Sequence, residues 1–472
     1  MYMTTFKCGR SMKLEDCELA ILRIAQDNAE NKQKQDFVMT PEIQSIIDIV
    51  EDFIRSDKFI CYGGTAINNI LPEEHQFYSN QEVPDYDFYS IDALKNAKKL
   101  ADLYFKHGYR DIEAKPSKHP GTFKVFVNGI GIADITQLDA ELFNNLYKGS
   151  LSVNGILYAD PQWLRQSMYF ELSSPAGDVS RWEKVLKRLI LLNKFHPPSE
   201  QMKCASNFQR KLSKPNKNEL QIFMITLNVF IEHGCVFIGA YADSLYSKFM
   251  PHDKSKLLKQ VPDFDVLATK PLQCLDILFK TFERHGIKGT FKKHNSIGEL
   301  INEHYEVVVE GETIAFIYEP VACQSYNIAP MKVPNMDGTI HTLNVKIGTI
   351  DTLLSYYLAF LYADRQYYTY KMERILCMCN FLLEVQRHNR LKQKGLLKRF
   401  TIECYGKQKT LESMRKERKE AFELLKNKRG SKEYEKYFLK YDPGKKTRKH
   451  KVKKKEPNRS AKLSVHKKEN IK

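Results

Sequence analysis

The sequence lacks long apolar runs. The nearest approach to one lies between Ile375 and Val385, which falls well short of the roughly 20 residues needed to cross a bilayer. The first residues carry Lys7, Arg10 and Lys13 but no apolar core, unlike a secretory signal peptide. We therefore expect neither a membrane-spanning helix nor a cleaved leader, and no membrane partner.

Paired metal-binding cysteines are also missing. The ten cysteines are scattered, with no Cys-x-x-Cys pair and no suitably spaced histidine partners. This scatter predicts neither a zinc site nor a disulfide framework. It is typical of reduced thiols in a cytosol-like compartment.

Acidic residues are scarce at the end of the chain. Residues 443–472 contain thirteen Lys or Arg and two Glu, so +11 of the formal net charge of +17 lies there and +6 is left for the rest. A segment of this composition cannot bury a core, and we expect it to be disordered. Because a basic tail attracts any polyanion, RNA binding, a nuclear-localisation-like signal and plain solubility all remain open for it.

One stretch in the N-terminal part of the chain contains a candidate phosphate-binding turn. An apolar strand that begins at Phe59 runs into Gly63 and Gly64 and then into a predicted helix over 66–70. A glycine turn that leads into a helix brings bare backbone amides close to an anion, and the helix N-terminus favours negative charge. We therefore expect Gly63, Gly64 and the hydroxyl of Thr65 to position phosphate groups.

Two aspartates follow on the next predicted strand. Alternate side chains of a strand share a face, so Asp85 and Asp87 project together while Tyr86 enters the core. Two carboxylates on one face repel each other unless a cation lies between them. Because Mg²⁺ takes oxygen ligands, usually one or two carboxylates plus substrate phosphates, the sequence predicts phosphate and metal side by side. Either motif alone is equally consistent with a solvated turn.

A third aspartate occurs on a later strand. Predicted strands over 123–127 and 130–135 are joined by an Asn-Gly turn, and the second of them carries Asp134 among apolar neighbours. An unpaired charge in such a setting would be costly. Asp134 either faces water at the strand end or binds metal, and metal binding would explain Asp85 and Asp87 as well.

The same pattern occurs a second time. The strand and glycine turn recur at 237–240, and Val-Pro-Asp-Tyr-Asp at 83–87 recurs as Val-Pro-Asp-Phe-Asp at 261–265, an offset of 178 residues. A His-Gly pair at the end of the following predicted helix recurs at the same offset. One fold has therefore been used twice.

The two copies differ at the positions that carry the chemistry. Gly64 is replaced by Ala240, which makes close approach to a phosphate harder, and Phe316 stands where Asp134 stood. Since the third carboxylate has gone, we expect the second unit to be catalytically inert. Its two remaining aspartates would then serve structure or contacts with RNA.

A predicted helical segment between the units, residues 161–193, carries four cations that can reach outward, namely Arg181, Lys184, Lys187 and Arg188. Lys184 and Lys187 are the candidates for a nucleotide role, because a cation near a triphosphate would neutralise charge in the leaving pyrophosphate. A solvated basic face explains the same residues equally well.

After the second unit, the sequence predicts further helices. Residues 349–387 form a helical segment with a dense set of tyrosines, including Tyr356 and Tyr357, that either stack on bases or belong to the core. From 391 to about 441 the pattern becomes highly charged and again favours helix.

The combination resembles the nucleotidyltransferase superfamily, whose pattern is a Gly-Gly helix turn, paired aspartates on the next strand and a third carboxylate later. The segment 160–197, containing WLRQSMYFELSSPAGDVSRWEKVLKRLILLNKFHP, is similar to the poly(A) polymerase catalytic subunits of large nucleocytoplasmic DNA viruses, of the asfarvirus and mimivirus type, with poxvirus enzymes more distant. The resemblance covers about residues 40–385.

The resemblance implies a mixed α/β fold with two tandem nucleotidyltransferase-like units, the second degenerate. The boundaries we predict are an N-terminal helical region at 1–57, a catalytic domain with its following helices at 58–200, a degenerate nucleotidyltransferase-like domain at 201–390, a charged helical segment at 391–442 and a disordered basic tail at 443–472.

The activity that the resemblance implies is template-independent addition of AMP from ATP to RNA 3′ ends, which makes the poly(A) tail of viral mRNA. Asp85, Asp87 and Asp134 would hold two Mg²⁺ or Mn²⁺ ions. The resemblance leaves open whether a homodimer or a separate processivity factor assists the enzyme, because family members of both kinds exist. It implies a viral protein of the host cytoplasm (the viral factory) and leaves packaging in the virion open. Transfer of a single nucleotide to another acceptor and a non-catalytic RNA-binding scaffold remain alternatives.

Overall fold

The structure is a computed structural model. It describes residues 13–35, 40–78, 84–198, 204, 219–251, 263–334, 339–363, 372–389 and 392–445. Most of the basic tail, 446–472, lies outside the described residues.

Fourteen α-helices occur in the described residues. In chain order these are α1 (Leu14–Gln35), α2 (Pro41–Asp57), α3 (Gly63–Ile70), α4 (Ala93–Lys106), α5 (Ala140–Gly149), α6 (Pro161–Leu172), α7 (Trp182–Phe195), α8 (Glu219–Glu232), α9 (Gly239–Tyr246), α10 (Pro271–Arg284), α11 (Ile350–Phe360), α12 (Met372–Asn389), α13 (Leu411–Leu425) and α14 (Lys432–Phe438). None of them, within the described parts of the chain, combines the length and apolar character that a bilayer crossing requires.

The strands form two mixed sheets. The first contains β1 (Ile60–Cys61), β2 (Tyr86–Ser90), β3 (Ile112–Pro116), β4 (Thr122–Val127), β5 (Ile130–Gln137), β6 (Leu151–Val153) and β7 (Ile156–Tyr158). The second contains β8 (Val236–Ile238), β9 (Phe264–Leu267), β10 (Gly289–His294), β11 (His304–Val309), β12 (Glu312–Tyr318), β13 (Gln324–Pro334), β14 (Ile340–Gly348) and β15 (Cys404–Tyr405).

The two sheets have one topology. The first runs β3-β4-β5-β2-β1-β7-β6 and the second β10-β11-β12-β9-β8-β14-β13, with β15 added at its edge. In the first sheet the β2-β5 and β1-β7 pairs are parallel. In the second sheet the corresponding pairs, β9-β12 and β8-β14, are parallel as well. Both sheets also shift register at the same place, between Val125 and Phe126 and between Val307 and Val308. The predicted duplication of a mixed α/β unit is confirmed.

Each sheet buries one face under helices. In the first unit α2 and α4 cover it, and the hydroxyl of the fully buried Tyr104 donates to the Ile46 carbonyl at 2.7 Å. In the second unit α10 takes the place of α4 and buries Leu278 and Phe282. The repeated sheet therefore rests on a repeated layer of helix.

The two units pack together through α6 and α11. The rings of Trp163 and Tyr362 meet edge to face at 4.9 Å, and the Tyr362 hydroxyl donates to Asp160 Oδ2 at 2.6 Å. Arg165 is almost fully buried in α6, where it donates to the Asn193 side chain at 2.7 Å and to Gln162 Oε1 at 2.6 Å. The segment that carries the family resemblance thus has a structural role at this junction.

The tyrosines of the predicted helical segment 349–387 belong to the core where they are described. Tyr356 and Tyr357 are 3% and 4% exposed and donate to Gln324 Oε1 and Asp243 Oδ2. They are not available to stack on bases. The segment also consists of two helices, α11 and α12, and Tyr362, which follows α11, is buried as well. The other tyrosines of the segment, Tyr367, Tyr368 and Tyr370, lie outside the described residues.

The charged segment 391–442 is helical only in part. It contains α13 and α14, but β15 pairs with β13, and Tyr441 forms a two-hydrogen-bond bridge to Ala114 of β3. The Tyr441 hydroxyl also donates to Asp102 of α4 at 2.6 Å. This segment therefore returns to the first unit and closes the edge of its sheet.

The expectation that no disulfide forms is wrong. Disulfides join Cys204 to Cys377 and Cys323 to Cys404. Because the partners are 173 and 81 residues apart, their spacing carries no local signal, and only the fold brings their Cα atoms to 5.6 and 5.1 Å. Four other cysteines are buried free thiols, namely Cys61, Cys235, Cys274 and Cys379.

Candidate active site

A glycine is required where β1 turns into α3. Gly63 has φ +74°, a left-handed conformation that a side chain would strain. A Cβ at this position would also lie 2.6 Å from Asp87 Oδ2. The Tyr62 amide donates to the Asp87 carbonyl at 2.9 Å, which ties the turn to β2. The turn and the aspartate strand are therefore in direct contact.

The three predicted aspartates lie at one place on the first sheet. Asp87 and Asp134 are direct neighbours on the parallel strands β2 and β5, and Asp85 precedes β2 by one residue. Tyr86 points the other way, into the core, where its hydroxyl donates to Glu51 Oε1 at 2.5 Å. As expected from strand alternation, the carboxylates of Asp85 and Asp87 lie on the opposite face of the strand from Tyr86.

The carboxylates repel one another. Burial, and then the charges of Asp85 and Asp134, raise the pKa of Asp87 to about 7, while Lys124 and Arg181 oppose the shift. Burial, followed by the charge of Asp134, also raises the pKa of Asp85. A cluster with these properties favours a bound cation, because a cation removes the cost of ionising all three groups.

Lys124 is a member of the site that the sequence did not reveal. It lies on β4 directly across from Asp134, with its Nζ 2.5 Å from Asp134 Oδ2. Its charge also acts on Asp85 and Asp87, so that an ammonium group counters all three carboxylates.

The donor set fits a hard divalent ion. Three carboxylates on one face supply the oxygen ligands that Mg²⁺ or Mn²⁺ prefers, and the close approach of Gly63 to Asp87 leaves no room for a side chain between turn and carboxylate. Among the described residues no three acidic, histidine or cysteine side chains are already gathered closely enough to enclose one ion.

A second cation, Arg188 of α7, lies at the glycine turn. A Cβ on Gly64 would be 2.9 Å from Arg188 Nη1 and would also clash with the Tyr78 hydroxyl. The Arg188 Nη2 donates to Tyr78 Oη at 2.7 Å, and its guanidinium lies over the Phe77 and Tyr78 rings. Arg188 and the first amides of α3 thus meet at one point, as an anion-binding site needs.

The other three predicted nucleotide-binding side chains differ from Arg188 in their placement or their partners. Lys184 and Lys187 occupy the exposed side of α7, and Lys187 forms an ion pair with Glu183 at 3.2 Å. Thr65 is buried, and its hydroxyl donates to the Asp85 carbonyl at 2.8 Å. This hydrogen bond ties α3 to the residue that precedes the aspartate strand, whereas the Arg188 guanidinium lies at the glycine turn itself.

Replacing Gly64 by alanine is expected to weaken nucleotide binding. The new Cβ would push the side chains of Arg188 and Tyr78 off the turn, and both can move because they are contacted near their flexible ends. We expect KM for the nucleotide to rise about tenfold, the loss of one charge-assisted contact, with little change in thermal stability. The matched control is Ala240→Gly in the second unit, which should leave KM unchanged. An unchanged KM in Gly64→Ala would contradict a nucleotide at this turn.

The second unit keeps the turn but has lost the carboxylate cluster. Gly239 has φ +70° and approaches Asp265 as Gly63 approaches Asp87. Phe316, however, is the direct neighbour of Asp265 across β12 and β9, and the Tyr318 hydroxyl donates to Asp265 Oδ1 at 3.2 Å. An aromatic ring thus occupies the position of the third carboxylate.

The segment that contains the candidate site matches the model of a known family. Residues 48–178 match the family model described as poly(A) polymerase catalytic subunit. The resemblance proposed from the sequence motifs is confirmed for this segment, which contains the glycine turn and all three aspartates.

Two viral relatives each match between a third and two fifths of the chain. A protein of Acanthamoeba polyphaga mimivirus, provisionally described as a poly(A) polymerase catalytic subunit, is 28% identical over 182 residues, which are 38% of this chain and 30% of the relative. A protein of African swine fever virus (Badajoz strain) with the same description is 28% identical over 163 residues, 33% of this chain and 34% of the relative. The matched segment thus spans about a third of these relatives' length.

A solved structure extends the likeness to the whole fold. The crystal structure of the Megavirus polyadenylate synthase superposes with a TM-score of 0.69 at 19% sequence identity, covering 93% of this chain and 88% of that one. The likeness shows that both units, and not only the first, share an architecture with that protein.

Proposed function

We propose that this protein adds AMP from ATP to the 3′ ends of RNA without a template. The observation that carries the proposal is the meeting of Asp85, Asp87 and Asp134 beside the Gly63 turn, within the segment that matches the poly(A) polymerase family. The similarity to viral proteins of that description favours a polymer-adding enzyme of viral mRNA processing over other members of the superfamily.

The aspartates would act through bound divalent ions. Asp85, Asp87 and Asp134 would hold two Mg²⁺ or Mn²⁺ ions, which supply activation of the RNA 3′-hydroxyl and neutralisation of phosphate charge. The backbone of Asp87 is hydrogen-bonded to Tyr62, and its carboxylate lies against Gly63. These contacts fix the carboxylate relative to the turn where the phosphates would bind.

The protein's own groups would orient the triphosphate. The amides at the start of α3 and the Arg188 guanidinium converge at Gly64, where they would hold ATP for in-line attack at its α-phosphate. Arg188 would also stabilise the negative charge that develops on the departing pyrophosphate. Arg181, whose charge lowers the pKa of Asp87, adds positive potential on the same side.

The second unit and the basic tail would serve RNA rather than chemistry. With Phe316 in place of a third carboxylate, the second unit cannot assemble the same ion site. The tail would attract RNA through its charge, and a homodimer or a separate processivity factor could supply further binding surface. We place the activity in the host cytoplasm, with packaging in the virion as part of the same proposal.

An extension assay with single nucleotides tests the proposed function. A labelled RNA oligonucleotide is incubated with the protein, Mg²⁺ and one of the four nucleoside triphosphates. We expect a long ladder with ATP and little product with the others, and no product on an oligonucleotide that ends in a 3′-deoxynucleotide. A single added nucleotide would instead indicate transfer to another kind of acceptor, and no addition with any nucleotide would indicate a non-catalytic RNA-binding protein.

A further inference from the structure

A row of four side chains crosses the first sheet at the level of the active site. In strand order from β3 to β2 the row consists of Lys115, Lys124, Asp134 and Asp87. Lys115 is paired with Glu113 at 2.8 Å and lies over the Phe126 ring, whereas Lys124 is paired with Asp134. The two lysines lie opposite each other on neighbouring strands, but only Lys124 is next to the strand that carries Asp134.

The second sheet contains the corresponding row, and two of its four positions have changed together. From β10 to β9 the row consists of Lys292, Glu306, Phe316 and Asp265. The outer lysine and the inner aspartate are retained. The unit that lacks the third carboxylate has therefore also replaced the lysine opposite it, and with a residue of the opposite charge. This pattern within one chain indicates that Lys124 serves Asp134.

The charge balance of the first unit explains such a pairing. Three carboxylates on one partly buried face destabilise the fold unless positive charge is near them. Asp134 is 16% exposed, so its charge is poorly screened by water, while Lys124 is 37% exposed at the sheet surface. A lysine ammonium on a flexible four-carbon stem can move toward solvent when a stronger cation arrives.

We propose that Lys124 is a positioning residue that supplies the resident positive charge of the carboxylate cluster and yields its place when a divalent ion binds. Before the ion is present, Lys124 holds Asp134 beside Asp85 and Asp87. When the ion binds, repulsion between two cations moves the ammonium away. The proposal rests on the proposed function, because it assumes that the cluster binds divalent ions.

Replacing Lys124 by methionine tests the proposal, with Lys115→Met as the matched control. Methionine keeps a similar length and apolar stem but removes the charge. In EDTA we expect the midpoint of thermal unfolding to fall by an amount on the order of 4 °C in Lys124→Met, and saturating Mn²⁺ should restore most of it. By titration calorimetry Mn²⁺ should bind Lys124→Met about tenfold more tightly than the unaltered protein, since a nearby positive charge has gone. Lys115→Met should show neither effect.

Three outcomes would overturn the proposal. One is weaker or unchanged Mn²⁺ binding in Lys124→Met, and another is a loss of thermal stability that Mn²⁺ does not repair, which would make Lys124 a purely structural partner of Asp134. In both cases the unaltered protein still binds the ion and the proposed function stands. The third is the absence of any Mn²⁺ binding by the unaltered protein, which would overturn the proposed function along with the inference.

Discussion

Replacing Asp87 by asparagine is expected to reduce AMP incorporation about a thousandfold or more while the protein stays folded. Asp87 is central to the cluster because it adjoins Asp134 on the next strand and the Gly63 turn. Removing one preorganised electrostatic group from an active site typically costs 10²–10³ in rate, and this group would also hold the ions. Single-turnover incorporation of labelled AMP, with circular dichroism to check folding, measures the effect.

The second unit provides a matched control for this substitution. Asp265 occupies the same strand position as Asp87 and lies against the same kind of glycine turn. Asp265→Asn should therefore leave the rate of incorporation within about twofold of the unaltered protein, a change equivalent to only a few tenths of a kcal/mol. Equal loss of activity in both variants would mean that the two units act together, and loss in Asp265→Asn alone would place the chemistry in the second unit.

Without divalent ions, the contribution of Asp87 to stability is expected to fall as the pH rises. Its folded pKa of about 7 lies above that of an unfolded aspartate, near pH 4, so between these values the folded state holds a proton that the unfolded state has released. The folded state is then favoured at the acidic end of this window. The free energy of unfolding should lose on the order of 4 kcal/mol across it.

Urea unfolding in EDTA from pH 5 to pH 8 isolates this contribution. Asp87→Asn has no titrating group at the position, so its free energy of unfolding minus that of the unaltered protein should grow with pH up to about 7 and then level off. With saturating Mg²⁺ the difference should shrink, because a bound ion stabilises the ionised carboxylate. A difference that is independent of pH in EDTA would show that burial and the neighbouring carboxylates do not raise the pKa of Asp87.

The elements that carry the site are the ones that sequence patterns specify best. A strand followed by two glycines, and aspartates separated by one residue on the next strand, are local patterns whose geometry follows from backbone conformation and strand alternation. Tyr86 in the core and the carboxylates on the other face follow directly. The duplication was equally accessible, because a repeat at a fixed offset needs no knowledge of contacts.

The partners of these elements depend on register and packing. Lys124 faces Asp134 only because β4 and β5 pair as they do, with a register shift next to that pair. Arg188 lies one turn after Lys184 on α7, yet the packing of that helix brings Arg188 to Gly64 and leaves Lys184 exposed. The sequence alone does not indicate which of these two cations lies at the glycine turn.

Contacts between segments that are far apart in the chain also depend on packing, so the sequence patterns do not predict them. The Cys323–Cys404 disulfide and the bridge between Tyr441 and Ala114 join segments that are distant in the chain. A charged pattern after residue 391 favoured helix throughout, although β15 forms there because the edge of β13 offers it a partner.

A crystal soaked with Mn²⁺ and a non-hydrolysable ATP analogue tests the central claim most directly. We predict manganese density in contact with Asp85, Asp87 and Asp134, and a triphosphate at Gly63 and Gly64 within reach of Arg188. Nucleotide and metal density found only at the second unit, or away from these carboxylates, would contradict the account.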